Sequence, residues 1–235
     1  IPCYVTTHVD AVDAMADYGF LGVKVAQPWG PADGHEGLLK TEELVATMRD
    51  ELGPEPEIML DCYMAWDREF TVRAADRIKQ YDVKWIEDPL LPGAITEYRA
   101  ITDAITPIQT AVGNLEFGHK AYHQFMNAGA GDIIQPELQW AGGLTEVQRI
   151  AGMAKGYGLP VIPHGSSVYN YHFVISHTNA PYAEFLTVDD GREVRSIFDV
   201  IEGEPLPKDG TVELSDDPGF GVELNRDLIE PFDRA

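Results

Sequence analysis

Six segments of this chain carry, at the end of a mostly apolar run, a residue that can bind a metal or move a proton: Asp61, Glu87, Asn114, Glu137, His164 and Glu184. The steps between them are 26, 27, 23, 27 and 20 residues, about the length of one strand–helix unit. In a parallel barrel every strand delivers its C-terminal end to one rim, and chemistry is done there. The spacing therefore brings carboxylates and an imidazole into a single mouth. That set suits a divalent cation beside a proton-transfer site.

Met59-Leu60-Asp61 and Trp85-Ile86-Glu87 each end a strand on a carboxylate. One such residue reads equally well as a helix cap or a salt-bridge partner, but two in successive units with matched placement favour a hard cation such as Mg²⁺. The third oxygen is open between the Asn114 amide and Glu116, two residues on. His164 ends Pro160–Pro163 and is followed by Gly165 and Ser166. Topology sets it beside Glu137, and a carboxylate at an imidazole fixes its tautomer and raises its basicity. Glu184 faces the same mouth, with pairing to a loop Lys or Arg as the plainer reading. Gly142-Gly143-Leu144-Thr145 is a glycine turn before a helix, either an anion site or a simple cap by Thr145. Trp29, Tyr63, Trp66 and Trp140 follow strand ends and shape a pocket or merely pack loops.

Eight elements must position these residues. The sequence predicts buried strands at 2–6, 22–26, 57–61, 84–87, 108–112, 133–136, 161–163 and 183–187. Helical patterns lie between, among them one opening at Thr41 with Leu44, Val45, Met48 and Leu52 in step. A second runs from Phe70 to Tyr81, and a third from Thr145 to the Gly156–Gly158 stop. Strand–helix alternation at this period gives an α/β fold, a TIM-type (β/α) barrel over 1–202. Turn signals from Gly203 onward mark 203–235 as a tail packing on the barrel.

The formal net charge is −22, from 39 acidic and 17 basic residues, which argues against nucleic acid or an anionic membrane as partner. It fits a hydrated surface suited to high salt, or simply an acidic cytoplasmic protein. No apolar run reaches a membrane span and no signal segment opens the chain. The two cysteines, Cys3 and Cys62, do not make a disulfide framework.

Several blocks resemble the enolase superfamily, in its mandelate-racemase-like branch of sugar-acid dehydratases. They are Met59–Tyr63, Lys84–Glu87, Ile134–Pro136, Gly142–Glu146, Val161–Tyr169, Ala183–Leu186 and Pro218–Val222. The resemblance covers nearly the whole chain. It implies one Mg²⁺ on Asp61, Glu87 and a third strand-end ligand, and His164 as base with Glu137 orienting it. Glu184 would be an acid or hydrogen-bond donor to the substrate carboxylate. Lys24, Tyr63, Trp140 and Ser166 are expected at the substrate. The implied reaction removes the proton beside the carboxylate and expels the 3-hydroxyl, giving a 2-keto-3-deoxy acid. A homo-oligomer is also expected.

Members that work from both faces of the substrate often carry Lys-x-Lys on the second strand. Here Lys24-Val25-Ala26 has only the first lysine, which disfavours a two-base racemase. Three departures stand against the family pattern: Asn114 where glutamate is usual, Glu137 where aspartate is usual, and no N-terminal α+β capping domain of about 100–150 residues. The alternatives are a paralogue with a degraded site that serves binding or assembly, or an epimerase or cycloisomerase.

Overall fold

The computed structural model describes residues 1–230. Seven parallel strands form one sheet in the order β6-β5-β4-β3-β2-β1-β7. They are β1 Cys3–Thr7, β2 Gly22–Ala26, β3 Glu57–Asp61, β4 Val83–Glu87, β5 Gln109–Val112, β6 Ile133–Ile134 and β7 Ala183–Leu186. The expected strand at 161–163 makes only isolated parallel bridges, Ile134 with Val161 and Glu137 with His164. Its prolines, Pro160 and Pro163, have no N–H to give a ladder. On the other side of that segment, Val161 N donates to the Asn179 carbonyl and Gly165 N to the Glu184 carboxylate. The curled sheet closes through these contacts.

Helices cover its outer face: α1 Val12–Ala16, α2 Gly34–Leu52, α3 Arg68–Ile78, α4 Ile95–Ala104, α5 Gly118–Ala128, α6 Leu138–Ala141, α7 Leu144–Gly156 and α8 Val168–Ser176. The outward strand residues Val23, Val25, Ile58, Leu60 and Ile86 pack with Val45, Met48, Ile78 and Ile150 in one continuous core. Strands buried on both faces read as apolar throughout, which is why β2 and β3 match their sequence-predicted bounds.

Helix starts are less well marked. The α2 helix begins at Gly34, well before Thr41, and Thr41 is a buried residue inside it. Thr145 is not a cap: Gly143, at φ 84, is the N-cap of α7, and no side chain satisfies it. Asp67 caps α3 by accepting from Phe70 N at 2.8 Å.

A short hairpin, β8 Ile201–Glu202 with β9 Glu223–Leu224, spans the boundary expected at Gly203. Between its strands, Val212 is buried and exchanges backbone hydrogen bonds of 2.8 Å with Ile1 at the foot of β1. Residues 231–235 of the expected tail lie outside the described residues. Among the described residues no helix is long and apolar enough to cross a membrane.

Candidate active site

The pleat of a strand puts residues i and i+2 on the same face. Inside the barrel, Tyr4, Met59, Trp85, Ala111, Ile133 and Ile162 close an apolar layer, with Tyr182 packed on it. Two positions further along the same strands come Thr6, Asp61, Glu87, Gly113, Gln135, His164 and Glu184. The floor is thus apolar and the next layer toward the C-terminal rim is polar. Asp61 and Glu87 are direct neighbours in the β3–β4 register, so their carboxylates enter the mouth side by side.

Lys24 is the hub of this layer. It is wholly buried, and its Nζ lies 2.7 Å from both oxygens of Glu87, 2.9 Å from Glu184 Oε1 and 4.0 Å from Asp61 Oδ2. Burial works against its charge, but Glu184 and Glu87 outweigh that and hold the ammonium well above its usual range. The charges thus sit as a buried cluster, in which each member depends on the others being present. Glu87 also accepts from the Trp85 indole at 3.2 Å.

Glu184 accepts on both oxygens, from Lys24 and the Thr6 hydroxyl on one and from Gly165 N on the other. Burial alone would raise its pKa, but Lys24 and His164 bring it down to about 2. In this arrangement Glu184 is an ionised acceptor, and Lys24 is the donor beside it.

His164 Nδ1 meets Glu137 Oε2 at 3.1 Å. The other Glu137 oxygen caps α6 through Gln139 N at 3.0 Å, which fixes the carboxylate in place. Burial pulls the imidazole pKa down, yet the Glu184 charge and the Glu137 hydrogen bond raise it to about 9. With Nδ1 committed to Glu137, Nε2 is the nitrogen left to exchange a proton, and it has no hydrogen-bond partner among the described residues.

Among the described residues no three Asp, Glu, His or Cys side chains are gathered as a metal-ligating group. Asp61 and Glu87 form a pair, and the pair already draws a cation, the Lys24 ammonium, to within 4.0 Å of each. All-oxygen donors fit a hard ion such as Mg²⁺, with the Asn114 amide as the third donor the chain order offers. Asn114 does not end β5 but lies half-buried in the turn two residues beyond it. Glu116, the alternative, accepts from Gly93 N at 2.8 Å and belongs to the neighbouring loop.

Of the expected substrate contacts, Lys24 and Ser166 are buried, while Tyr63 and Trp140 stand exposed at the rim. A cleft of about 360 Å³ between the ends of β1, β2 and β7 is lined by Thr6, His8, Gln27 and Tyr63. Sequence reasoning missed Thr6, Asp88 and Gln135. Asp88 is buried behind Glu87, where burial and the charges of Glu87 and Asp61 raise its pKa to about 8. Asp88 lies one residue from Glu87 and Gln135 two from Glu137, and pleat parity alone would have found Thr6 and Gln135.

Residues 7–228 match the family described as enolase C-terminal domain-like. The chain is 39% identical over 223 residues to a protein of Caldivirga maquilingensis named as a putative L-rhamnonate dehydratase, covering 94% of this chain and 56% of that one. It is 38% identical over 238 residues to the L-rhamnonate dehydratase of Saccharopolyspora erythraea, covering 99% and 60%. The crystal structure of rhamnonate dehydratase from Gibberella zeae complexed with Mg superposes with a TM-score of 0.89 at 35% identity, over 96% of this chain and 56% of that one. The chain thus spans somewhat more than half the length of these relatives. From the matched residues and the curled parallel sheet together, the chain belongs to the enolase C-terminal domain-like family.

Proposed function

We propose that this chain is the barrel portion of a Mg²⁺-dependent sugar-acid dehydratase acting on a rhamnonate-like aldonate. The observation that carries the reading is the His164–Glu137 pair in the same polar layer as the Asp61–Glu87 carboxylates. The rhamnonate dehydratases similar to this chain support the substrate class. Asp61, Glu87 and Asn114 would hold the metal, whose charge stabilises the dianion that forms when a proton leaves the carbon beside a carboxylate.

The chain's own residues supply the remainder. His164 Nε2 takes the α-proton, and Glu137 keeps Nδ1 protonated while it does so. Lys24 donates toward the developing oxyanion, and Glu184 holds that ammonium in place. The β-hydroxyl leaves with the proton that His164 carries, and the enol becomes a 2-keto-3-deoxy acid. Glu184 is then an anchor for the donor in place of the donor itself. The partner is a small molecule.

The test is to incubate the full-length protein with Mg²⁺ and a panel of aldonates, L-rhamnonate included, and assay 2-keto-3-deoxy acid. Turnover lost in His164→Asn supports the reading, and no product from any aldonate refutes it. Asn114 favours a second reading, a paralogue with a weakened metal site, for which Mg²⁺ binding would be absent and Asn114→Glu would restore it.

A further inference from the structure

Gln135 is fully buried, yet neither its Oε1 nor its Nε2 has a protein partner. The backbone sets its direction. Ile133 lies in the apolar floor and Ile134 in the outer core, so pleat alternation turns Gln135 inward. The strand geometry continues through this residue, because Gln135 N donates to the Val112 carbonyl at 2.8 Å and His164 N to that of Pro136 at 3.1 Å. Gln135 therefore occupies the polar layer between the end of β5, with Gly113 and Asn114, and the segment that carries His164.

The other side chains of that layer are engaged: Thr6 with Glu184, Glu87 and Glu184 with Lys24, Asp61 with Tyr63 N and His164 with Glu137. A buried amide without partners costs folding free energy, and such groups mark places where something other than packing was selected.

We propose that Gln135 is a substrate-binding residue that reads the 2-hydroxyl and carboxylate of the acid, Nε2 donating to a carboxylate oxygen and Oε1 accepting from the hydroxyl. This rests on the dehydratase reading and deepens it. A primary amide offers one acceptor and two donors in a plane, which matches a 2-hydroxy carboxylate and mismatches the same acid lacking the hydroxyl. Its place between Asn114 and His164 sets it next to the imidazole that takes the proton in the proposed reaction. A site built to pair a hydroxyl rejects the analogue without it, because its own polar group is then left unpaired.

The test compares Gln135→Leu with the parent, both in a His164→Asn background of the full-length protein so that binding is measured without turnover. Calorimetry with Mg²⁺ present gives affinities for L-rhamnonate and its 2-deoxy counterpart, and thermal melts without substrate give Tm. A leucine of similar volume removes an unpaired amide, so Tm is expected to stay or rise. L-Rhamnonate affinity is expected to fall at least about tenfold, and the preference over the 2-deoxy acid to disappear. A lower Tm with unchanged affinity and preference would make Gln135 a structural residue and overturn the proposal. Should Gln135→Leu fail to fold, Gln135→Met is measured in the same way, and a preference retained in it overturns the proposal. Absence of any aldonate binding by the parent would instead refute the dehydratase reading.

Discussion

Replacing Glu137 with glutamine isolates the His164 pair. The substituted amide oxygen can still accept from Gln139 N, so the α6 cap survives, and its NH₂ then faces His164 Nδ1. A hydrogen bond to a charged group is worth about 1.5–3 kcal/mol, or about one to two pKa units. The imidazole, now held at about 9 against burial by Glu184 and Glu137, is therefore expected near 7–8, roughly, in the variant. Stability follows the same linkage. A histidine raised from 6.5 to about 9 contributes about 3 kcal/mol that is fully present below pH 6.5 and lost as pH climbs toward 9. Glu137→Gln should shrink that loss. It should also invert the tautomer: an amide donor at Nδ1 puts the proton on Nε2, where a base needs its lone pair. The rate is expected to fall at least about 10²-fold. Imidazole titration by NMR, with urea unfolding at pH 6 and pH 9, checks both. An unchanged imidazole pKa would refute the pairing as the source of basicity, and a rate that stays at the parent level would refute the tautomer argument.

Three further outcomes follow from the buried cluster. Asp61→Ala is expected to abolish Mg²⁺ binding in calorimetry, because Glu87 and Asn114 alone leave one charged ligand; retained binding at the parent affinity would place the metal elsewhere. Asn114→Glu adds a charge at the third position and is expected to tighten Mg²⁺ binding at least about tenfold; weaker binding would remove Asn114 from the ligand set. Lys24→Met leaves Glu87, Glu184 and Asp61 without their cation, and urea unfolding should show a loss of about 3–5 kcal/mol. Mg²⁺ should recover part of it, and a variant as stable as the parent would show that the cluster is not held by Lys24.

Which residues of the site can be read from a linear sequence depends on how local their signal is. Asp61 and Glu87 announce themselves because each ends a buried run, and β2 and β3 are bounded by the same contrast, whereas Glu184 does not end its run as expected: it is the second residue of β7, a lone charge among buried apolar neighbours. His164 is visible for another reason: the Pro160–Gly165 block is chemically unusual, although those prolines are what deny it a regular strand. Lys24 is visible as a residue, but its role is not. Its partners lie 63 and 160 positions away, and only the strand order β4-β3-β2-β1-β7 in the curled sheet brings them within 3 Å. No local pattern encodes a contact of that kind. The expectation of an acid or hydrogen-bond donor at Glu184 differs from the ionised acceptor for the same reason, since its ionisation depends on a lysine two strands away. Gln135 shows the opposite failure. Its inward direction follows from counting two residues beyond Ile133, but a lone glutamine carries no chemical flag until its burial without partners is seen. The register of a barrel is thus legible before its electrostatics. Residues that act through a charge across the mouth are the ones a sequence reading assigns last.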